Sequence, residues 1–334
     1  MAKIALTGIK PTGTPHIGNY LGMIKPALEL VQSYRALYFI ADYHALTTER
    51  DPEKLKRQIY EVAATWLALG LDPEKVMFFR QSDIPEVFEL TWILSCVTAK
   101  GMLNRAHAYK AVVEENIRQG KNLDDDINAG LFSYPVLMAA DILLFGTHVV
   151  PVGQDQRQHV EIARDIASGF NSHYGNVFTI PEAMIRKDAM SVPGVDGRKM
   201  SKSYRNTIPI FADEKIIRKQ VMRIVTDSKP PEAPKNPEAC NLFSLYRYFA
   251  PFGDLEETRM MYLKGGARYS DIKDKLIRLL LEKFKEGRRI YGALLRDQPA
   301  IERILKQGAL AARAIAKPVL SEVRRSIGID QPGL

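Results

Sequence analysis

Cysteine is nearly absent. The 334 residues contain two, Cys96 and Cys240, and neither belongs to a CxxC pair. That excludes a disulfide scaffold and a cysteine-based zinc site, and makes a reducing cytoplasm the expected compartment. No apolar run is long enough to suggest a membrane span. The opening stretch, MAKIALTGIKPTG, has no small-residue cleavage site, so no signal peptide is expected. Internal repeats and low-complexity segments are also missing. What is present is an ordinary globular balance, 46% hydrophobic and 26% charged. The length corresponds to one large domain or two of common size.

Basic residues exceed acidic ones, 47 against 39, a formal charge of +8. The excess is local. Residues 261–334 hold 16 basic and 8 acidic side chains, again +8, which leaves the first 260 balanced at 31 against 31. A neutral body with a basic tail fits a catalytic unit carrying a polyanion-binding appendix, although an idle basic surface gives the same balance. Arg288, Arg289, Arg324 and Arg325 are the arginines expected to meet that polyanion.

Short β-rich runs at 4–7, 37–41, 76–79 and 148–151 alternate with helical patterns at 18–32, 51–69, 134–145 and 155–170. Asp51 and Pro52 supply an N-cap and a first-turn proline for the second of these helices. The alternation predicts an α/β fold, a doubly wound parallel sheet, with ligands at the C-terminal ends of its strands. After residue 213 the pattern turns all-helical. Residues 226–241, rich in proline and lysine, read as a connection, and 271–296 and 298–326 read as helices with basic faces.

Two segments carry chemistry. In 8–19, GIKPTGTPHIGN, a strand ends, the chain turns on Gly8 and Gly13, and a helix begins at Gly18. The free N–H groups and positive dipole end of such a helix suit phosphate. His16 and Asn19 lie three residues apart and can aim at one bound group. The segment is neither a Walker A loop nor GxGxxG, and an ordinary βα turn would look similar. In 197–204, GRKMSKSY, Lys199 and Lys202 stand three apart among serines, a pattern that can wrap a polyphosphate and that many solvated loops share.

Together, PHIGN and KMSKS resemble the signature pair of class I aminoacyl-tRNA synthetases. Three further segments narrow the resemblance to the tryptophanyl-tRNA synthetases: YPVLMAADIL at 134–143, PVGQDQRQH at 151–159 and VTDS at 225–228. It covers nearly the whole chain. It implies a Rossmann-like catalytic domain over 1–205, with the KMSKS loop at its end, and a C-terminal all-helical, basic, anticodon-binding domain over 206–334.

The resemblance also implies a site. Lys10, Pro11, Thr12, Gly18 and Asn19 would hold ATP on one side, and Lys199, Met200, Ser201, Lys202 and Ser203 on the other. Gly153, Gln154 and Asp155 would meet the adenosine, and the stretch around Ala189 the adenine. Asp141 would receive the indole N–H of tryptophan. Leu6, His44, Met138, Val150, Val152 and Gln156 would surround the ring and the amino acid. His16, Asn19, Lys199 and Lys202 would carry catalysis. Mg2+ would be held by the ATP phosphates, with no metal ligand from protein side chains. The chain departs from the family in having Lys10 and Tyr43 where glutamine is common. Lys110 fits a basic position of the family, and 114–126 reads either as a mobile loop able to close over ATP or as helix.

The implied reaction joins the tryptophan carboxylate to the α-phosphate of ATP, expels pyrophosphate, and passes the tryptophanyl group to the 3′ end of tRNA(Trp). A carboxylate is already ionised at neutral pH and needs no base. Positioning and charge neutralisation must then supply the catalysis. The expected partners are L-tryptophan, tRNA(Trp) and a second copy of the chain, with neither membrane nor DNA. A tyrosine-activating relative, another nucleotidyl transferase and a catalytically silent tRNA-binding paralogue are the alternatives.

Overall fold

The computed structural model describes residues 2–185 and 192–330. Five strands form one parallel sheet: β1 (Ile4–Ile9), β2 (Arg35–Ile40), β3 (Val76–Arg80), β4 (Val149–Pro151) and β5 (Glu182–Met184), in the order β3-β2-β1-β4-β5. Leu6 pairs with Leu37, and Leu37 with Met77. Ala36 to Ile40 are all buried, the near-continuous apolar run of a strand covered on both faces. The strand order reverses between β1 and β4, and there the C-terminal ends of the strands open a crevice.

The expected strands are present, each within a few residues. β5 is not visible in the sequence, because three residues are too short to show a period. The Pro52–Ala68 helix starts as expected, with the Asp51 carboxylate accepting from the N–H groups of Glu53 and Lys54 at 3.0 and 3.1 Å. The helix expected over 18–32 is broken. A π-turn occupies Tyr20–Ile24, with the Lys25 N–H bonded to the Tyr20 carbonyl, immediately before Pro26. Proline has no N–H to continue the α pattern, and such wide turns concentrate at functional sites. The mobile loop expected from residue 114 is helical as far as Arg118, in the helix His107–Arg118.

Three apolar clusters hold the chain together. One lies on each face of the sheet. The third joins the helices Glu214–Met222, Asn241–Tyr246, Phe252–Lys264 and Tyr269–Lys283 to Ile17, Tyr20 and Met200 of the two signature segments. The helix expected over 271–296 divides at Phe284, which is buried edge-on to Tyr20 with ring centroids 5.1 Å apart. The proline-rich connection is itself folded around Lys235, whose buried ammonium donates to the carbonyls of Pro230, Pro231 and Ala233 at 2.7, 3.1 and 3.1 Å.

The tail helix, Gln298–Ser326, does not stand with the other C-terminal helices, as a division at residue 205 would require. It lies on β3. A Cβ at Gly308 would fall 2.0 Å from the Phe78 carbonyl oxygen, so only glycine permits the approach. Ala309, Ala312, Ala316, Leu320 and Val323 share a cluster with Leu6 and Leu37. Ion pairs fasten the same helix. Arg80 forks onto Glu302 at 2.7 and 2.8 Å, Arg313 meets Glu86 at 2.8 Å, and Arg324 meets Glu89. Arg324 is therefore a strut and not a free cation. Arg325 is paired with Glu322, and Arg289 with Glu286.

Candidate active site

A cavity of about 860 Å³ opens at the β1–β4 crevice. Its wall contains Leu6, Lys10, Asn19, His44, Met138, Asp141, Val150, Val152, Gly153, Gln156 and Lys199. The structure thus gathers all seven residues expected around tryptophan, with four of those expected around ATP. Pro11, Thr12, Gly18, Gln154, Met200, Ser201, Lys202 and Ser203 do not line this space. Ala189 and the side chain of Asp155 lie outside the described residues.

At one end the wall is apolar and closed by a single carboxylate. Asp141 sits on the helix Ala129–Leu143 and is 2% exposed. His44 Nε2 donates to its Oδ2 at 2.8 Å, and Gln81 Nε2 lies 2.8 Å from each of its oxygens. Burial pushes the Asp141 carboxyl above the usual carboxylate range, and the bonds from His44 and Gln81 pull it back. Tyr134 stands edge-on to His44, with centroids 6.1 Å apart, and its hydroxyl bonds the His159 ring. The helix is set by Asn128, whose side chain accepts from the Leu131 N–H at 2.9 Å and donates to the Thr47 carbonyl at 3.1 Å. Lys10 spans from β1 to the same region, donating to the hydroxyls of Thr47 and Thr48 at 3.1 and 3.2 Å.

At the other end the two signature segments meet, although about 180 residues separate them in the chain. Ile17 N–H donates to the Ile208 carbonyl at 3.0 Å, and His16 bridges to Pro209. Gly18 N–H points at Met200 Sδ, 3.3 Å away. A Cβ on Gly18 would lie 3.0 Å from His16 Nδ1 and 3.3 Å from the Met200 side chain, so the close packing favours glycine. Met200, expected at ATP, turns its side chain into the third cluster. Lys202 reaches back to the first loop, donating to the Thr12 carbonyl and, at 2.8 Å, to that of Gly13. Ser201 caps the short turn Lys202–Tyr204, accepting from the Ser203 N–H at 3.3 Å.

Charge in this corner is tuned by desolvation. Burial lowers the Lys202 ammonium to about 8, against a small upward pull from Glu61. His16 is lowered to about 4, first by burial and then by the Lys202 charge. Its ring is neutral at physiological pH, and its buried Nδ1 makes no hydrogen bond. Asn19 holds the segment by accepting from the His16 N–H at 3.2 Å.

Some contributors are not evident from the sequence. Gln81 is buried behind Asp141. Asn206 is the hub of the second loop, accepting from Ser201 N–H at 2.8 Å and donating to Asp196 and the Lys199 carbonyl at 2.7 and 3.1 Å. A signal for Gln81 exists all the same. It follows β3 directly, at the strand end where ligands bind in such sheets.

A five-stranded parallel sheet with its cavity at the reversal point, and two phosphate-suited segments locked together beside it, defines a class I aminoacyl-tRNA synthetase. The family model described as tRNA synthetases class I (W and Y) matches residues 2–281. The chain is 51% identical to the tryptophan–tRNA ligase of Pseudomonas aeruginosa over 331 residues, covering 97% of this chain and 73% of that protein. It is 47% identical to the tryptophan–tRNA ligase of Neisseria meningitidis, with 98% of each covered. The crystal structure of tryptophanyl-tRNA synthetase from Campylobacter jejuni, complexed with ADP and tryptophan, superposes with a TM-score of 0.89 at 47% identity, covering 97% of this chain and 99% of that one. The chain belongs to the tryptophanyl-tRNA synthetase family.

The depressed His16 basicity has a measurable consequence. Between pH 6.5, the ordinary imidazole value, and about 4, the unfolded chain binds a proton at His16 that the folded chain refuses. Stability therefore falls as pH drops through that window. Thermal melting across pH should show the fall, and His16→Gln should flatten it. Coincident profiles for the two proteins would mean that the imidazole is not desolvated.

Proposed function

We propose that the chain ligates L-tryptophan to tRNA(Trp), forming tryptophanyl-adenylate from ATP and passing the tryptophanyl group to the tRNA 3′ end. The observation that carries this reading is the polarity of one cavity. Its apolar end is closed by the buried Asp141 carboxylate, and its other side carries Asn19 and Lys199, one residue from each signature segment.

Tryptophan enters with its indole between Leu6, Met138, Val150 and Val152, and its ring N–H on Asp141. Gln156, also in the cavity wall, takes the amino-acid end. ATP lies along Gly18, Asn19, Gly153 and the second loop, with Asp155 on the ribose. The substrate carboxylate is the nucleophile, so no proton needs to be removed. The protein's contribution is to place that carboxylate against the α-phosphate and to neutralise the charge that builds on the departing pyrophosphate. Lys202, now on two backbone carbonyls, is held close to where that charge develops. Phosphate beside it would restore its full ammonium character. His16 acts as a neutral hydrogen-bonding ring. Mg2+ neutralises phosphate charge when bound. Among the described residues no three His, Cys, Asp or Glu side chains are grouped to hold a metal. Asn19 and Lys199 in the cavity wall would face the triphosphate that carries the ion.

The helical unit offers the surface for tRNA. With Arg289, Arg324 and Arg325 engaged in ion pairs, the exposed Lys264, Arg268, Arg278 and Lys283 are the better candidates for the nucleic acid. A second copy of the chain would cover the helix Glu86–Val97. Val87, Leu90 and Leu94 line its core side, while Phe88 and Trp92 face outward at 46% and 73% exposure. A helix apolar on both sides is one that expects burial on both. Among the described residues no helix is long and apolar enough to cross a membrane, which is compatible with work in the cytoplasm.

Four measurements test this reading. Tryptophan should drive pyrophosphate exchange into ATP far better than tyrosine. Asp141→Ala should weaken tryptophan binding by about 1.5–3 kcal/mol, the scale of a hydrogen bond to a charged group. Equal activation of tryptophan by parent and variant would remove Asp141 from the site. Reversing the charges at Lys264, Arg268, Arg278 and Lys283 should leave exchange intact and weaken tRNA binding. The slope of log affinity against log salt should flatten by about 0.7–0.9 for each phosphate that the variant no longer neutralises. An unchanged slope would place the tRNA elsewhere. Trp92→Glu should convert a dimer into a monomer by sedimentation, and a variant that still sediments as a dimer would move the interface off this helix.

A further inference from the structure

Gln81 is the second residue of the polar segment Arg80–Asp83, which begins at the end of β3 and is pinned on both flanks. Arg80 bonds Asp83 at 3.0 Å and forks onto Glu302 of the tail helix at 2.7 and 2.8 Å. Ser82 gives both its N–H, at 3.1 Å, and its hydroxyl to the buried Asp42. Between these two anchors Gln81 is 1% exposed and has little freedom. Its amide nitrogen lies 2.8 Å from both oxygens of Asp141, while its own carbonyl oxygen is buried and makes no hydrogen bond. A buried acceptor left without a donor is unfavourable. The anchored flanks place the carboxamide, and the hydrogen bonds that its side chain makes go to the carboxylate in front of it.

Counting acceptor positions shows what this achieves. An ionised carboxylate offers about four lone-pair directions. Oδ2 of Asp141 receives both His44 and Gln81, and Oδ1 receives Gln81 alone. One direction remains, on Oδ1. We propose that Gln81 is a positioning residue for amino-acid selection: it fixes the rotation of the Asp141 carboxylate so that a single acceptor direction is left for one ring N–H. This rests on the reading above that Asp141 receives the indole N–H. It adds that recognition depends on a residue that is not itself in the cavity wall.

The electrostatics agree. Burial favours the neutral acid at Asp141, and among the groups on it only His44 and Gln81 oppose that trend. A protonated Asp141 would present a donor where the substrate also presents one. Gln81 thus sustains the acceptor character as well as its direction, without placing a second charge in the pocket.

The test uses the intact enzyme, tryptophan-dependent pyrophosphate exchange, and the tryptophan analogue with sulfur in place of the ring N–H. Gln81→Met keeps the side-chain length and removes the donor. It should raise the KM for tryptophan about tenfold, the scale of one hydrogen bond to a charged group. The kcat should stay close to the parent's, because the phosphate corner is untouched. The KM for the sulfur analogue should not change, so selectivity for tryptophan over the analogue should fall by the same factor. Gln81→Glu supplies a second reading should the methionine variant fold poorly. Two adjacent carboxyls retain a proton between them, and the protonated glutamic acid can donate as the amide did. Its tryptophan KM should therefore improve as pH falls, while the parent's does not. Asp141→Ala is measured alongside. If Asp141→Ala raises the tryptophan KM and Gln81→Met does not, the proposal for Gln81 is overturned and the role of Asp141 stands. If Asp141→Ala itself leaves KM unchanged, both fall. If Gln81→Met lowers kcat and raises the KM of both substrates together, Gln81 is scaffold and the proposal is overturned.

Discussion

The shared burial of Ile17, Tyr20 and Met200 is the constraint on which the rest of this structure depends. Two loops far apart in the sequence can act on one triphosphate only if something fixes their separation. Here the same apolar cluster contains a residue from each, and Gly18 has no side chain because His16 and Met200 already fill its surroundings. The helices after Glu214 supply the remainder of that cluster, through Ile217, Leu242, Tyr246 and Leu276. The helical unit is thus part of the wall behind the phosphate corner. A rearrangement of those helices would be felt at Met200 directly, through packing and not through a relay of distant residues.

The polar side chains of the site are kept under unfavourable solvation, and each is held differently. Asp141 is buried with two donors. Lys202 is half-desolvated with two backbone carbonyls. His16 is neutral because burial and a neighbouring lysine both oppose its proton. In water these groups would titrate as ordinary side chains of their kind. In this pocket their fields act through a lower dielectric and need little reorganisation when the substrate arrives. That suits a reaction whose nucleophile is already ionised, where the protein has charge to redistribute and no proton to move.

Legibility follows length and locality. Asp51 before Pro52 announces a helix because capping is decided by neighbours in sequence. The runs at Ile4, Leu37 and Val76 announce strands because both faces are buried and the apolar signal is unbroken. The residues expected around tryptophan converge on one cavity, because the family pattern spans segments that the sheet brings together at its reversal point. What fails is of another kind. The π-turn after Asn19 depends on how Pro26 frustrates one hydrogen bond. The break at Phe284 depends on Tyr20, more than 260 residues away. Gln81 and Asn206 belong to none of the recognised motifs, because one bonds a carboxylate from behind and the other ties together the backbone of a loop.

The tail shows how a composition argument can be right in sum and wrong in place. The +8 of the last 74 residues is real, and it suggests a basic face along the final helix. That helix instead lies on β3, where Gly308 lets it approach the backbone, and two of its arginines, Arg313 and Arg324, answer carboxylates of the body. The first 260 residues come out neutral partly because Glu86 and Glu89 are counted there, although their partners Arg313 and Arg324 belong to the tail. Once those pairs are set aside, exposed cations remain both between Lys264 and Lys283 and on the final helix itself, at Arg303, Lys306 and Lys317. The helical unit holds the phosphate corner from behind with its apolar face, and its outer face carries the exposed cations. A charge count along the chain cannot separate the two uses of arginine; only the packing of Gln298–Ser326 on the sheet does.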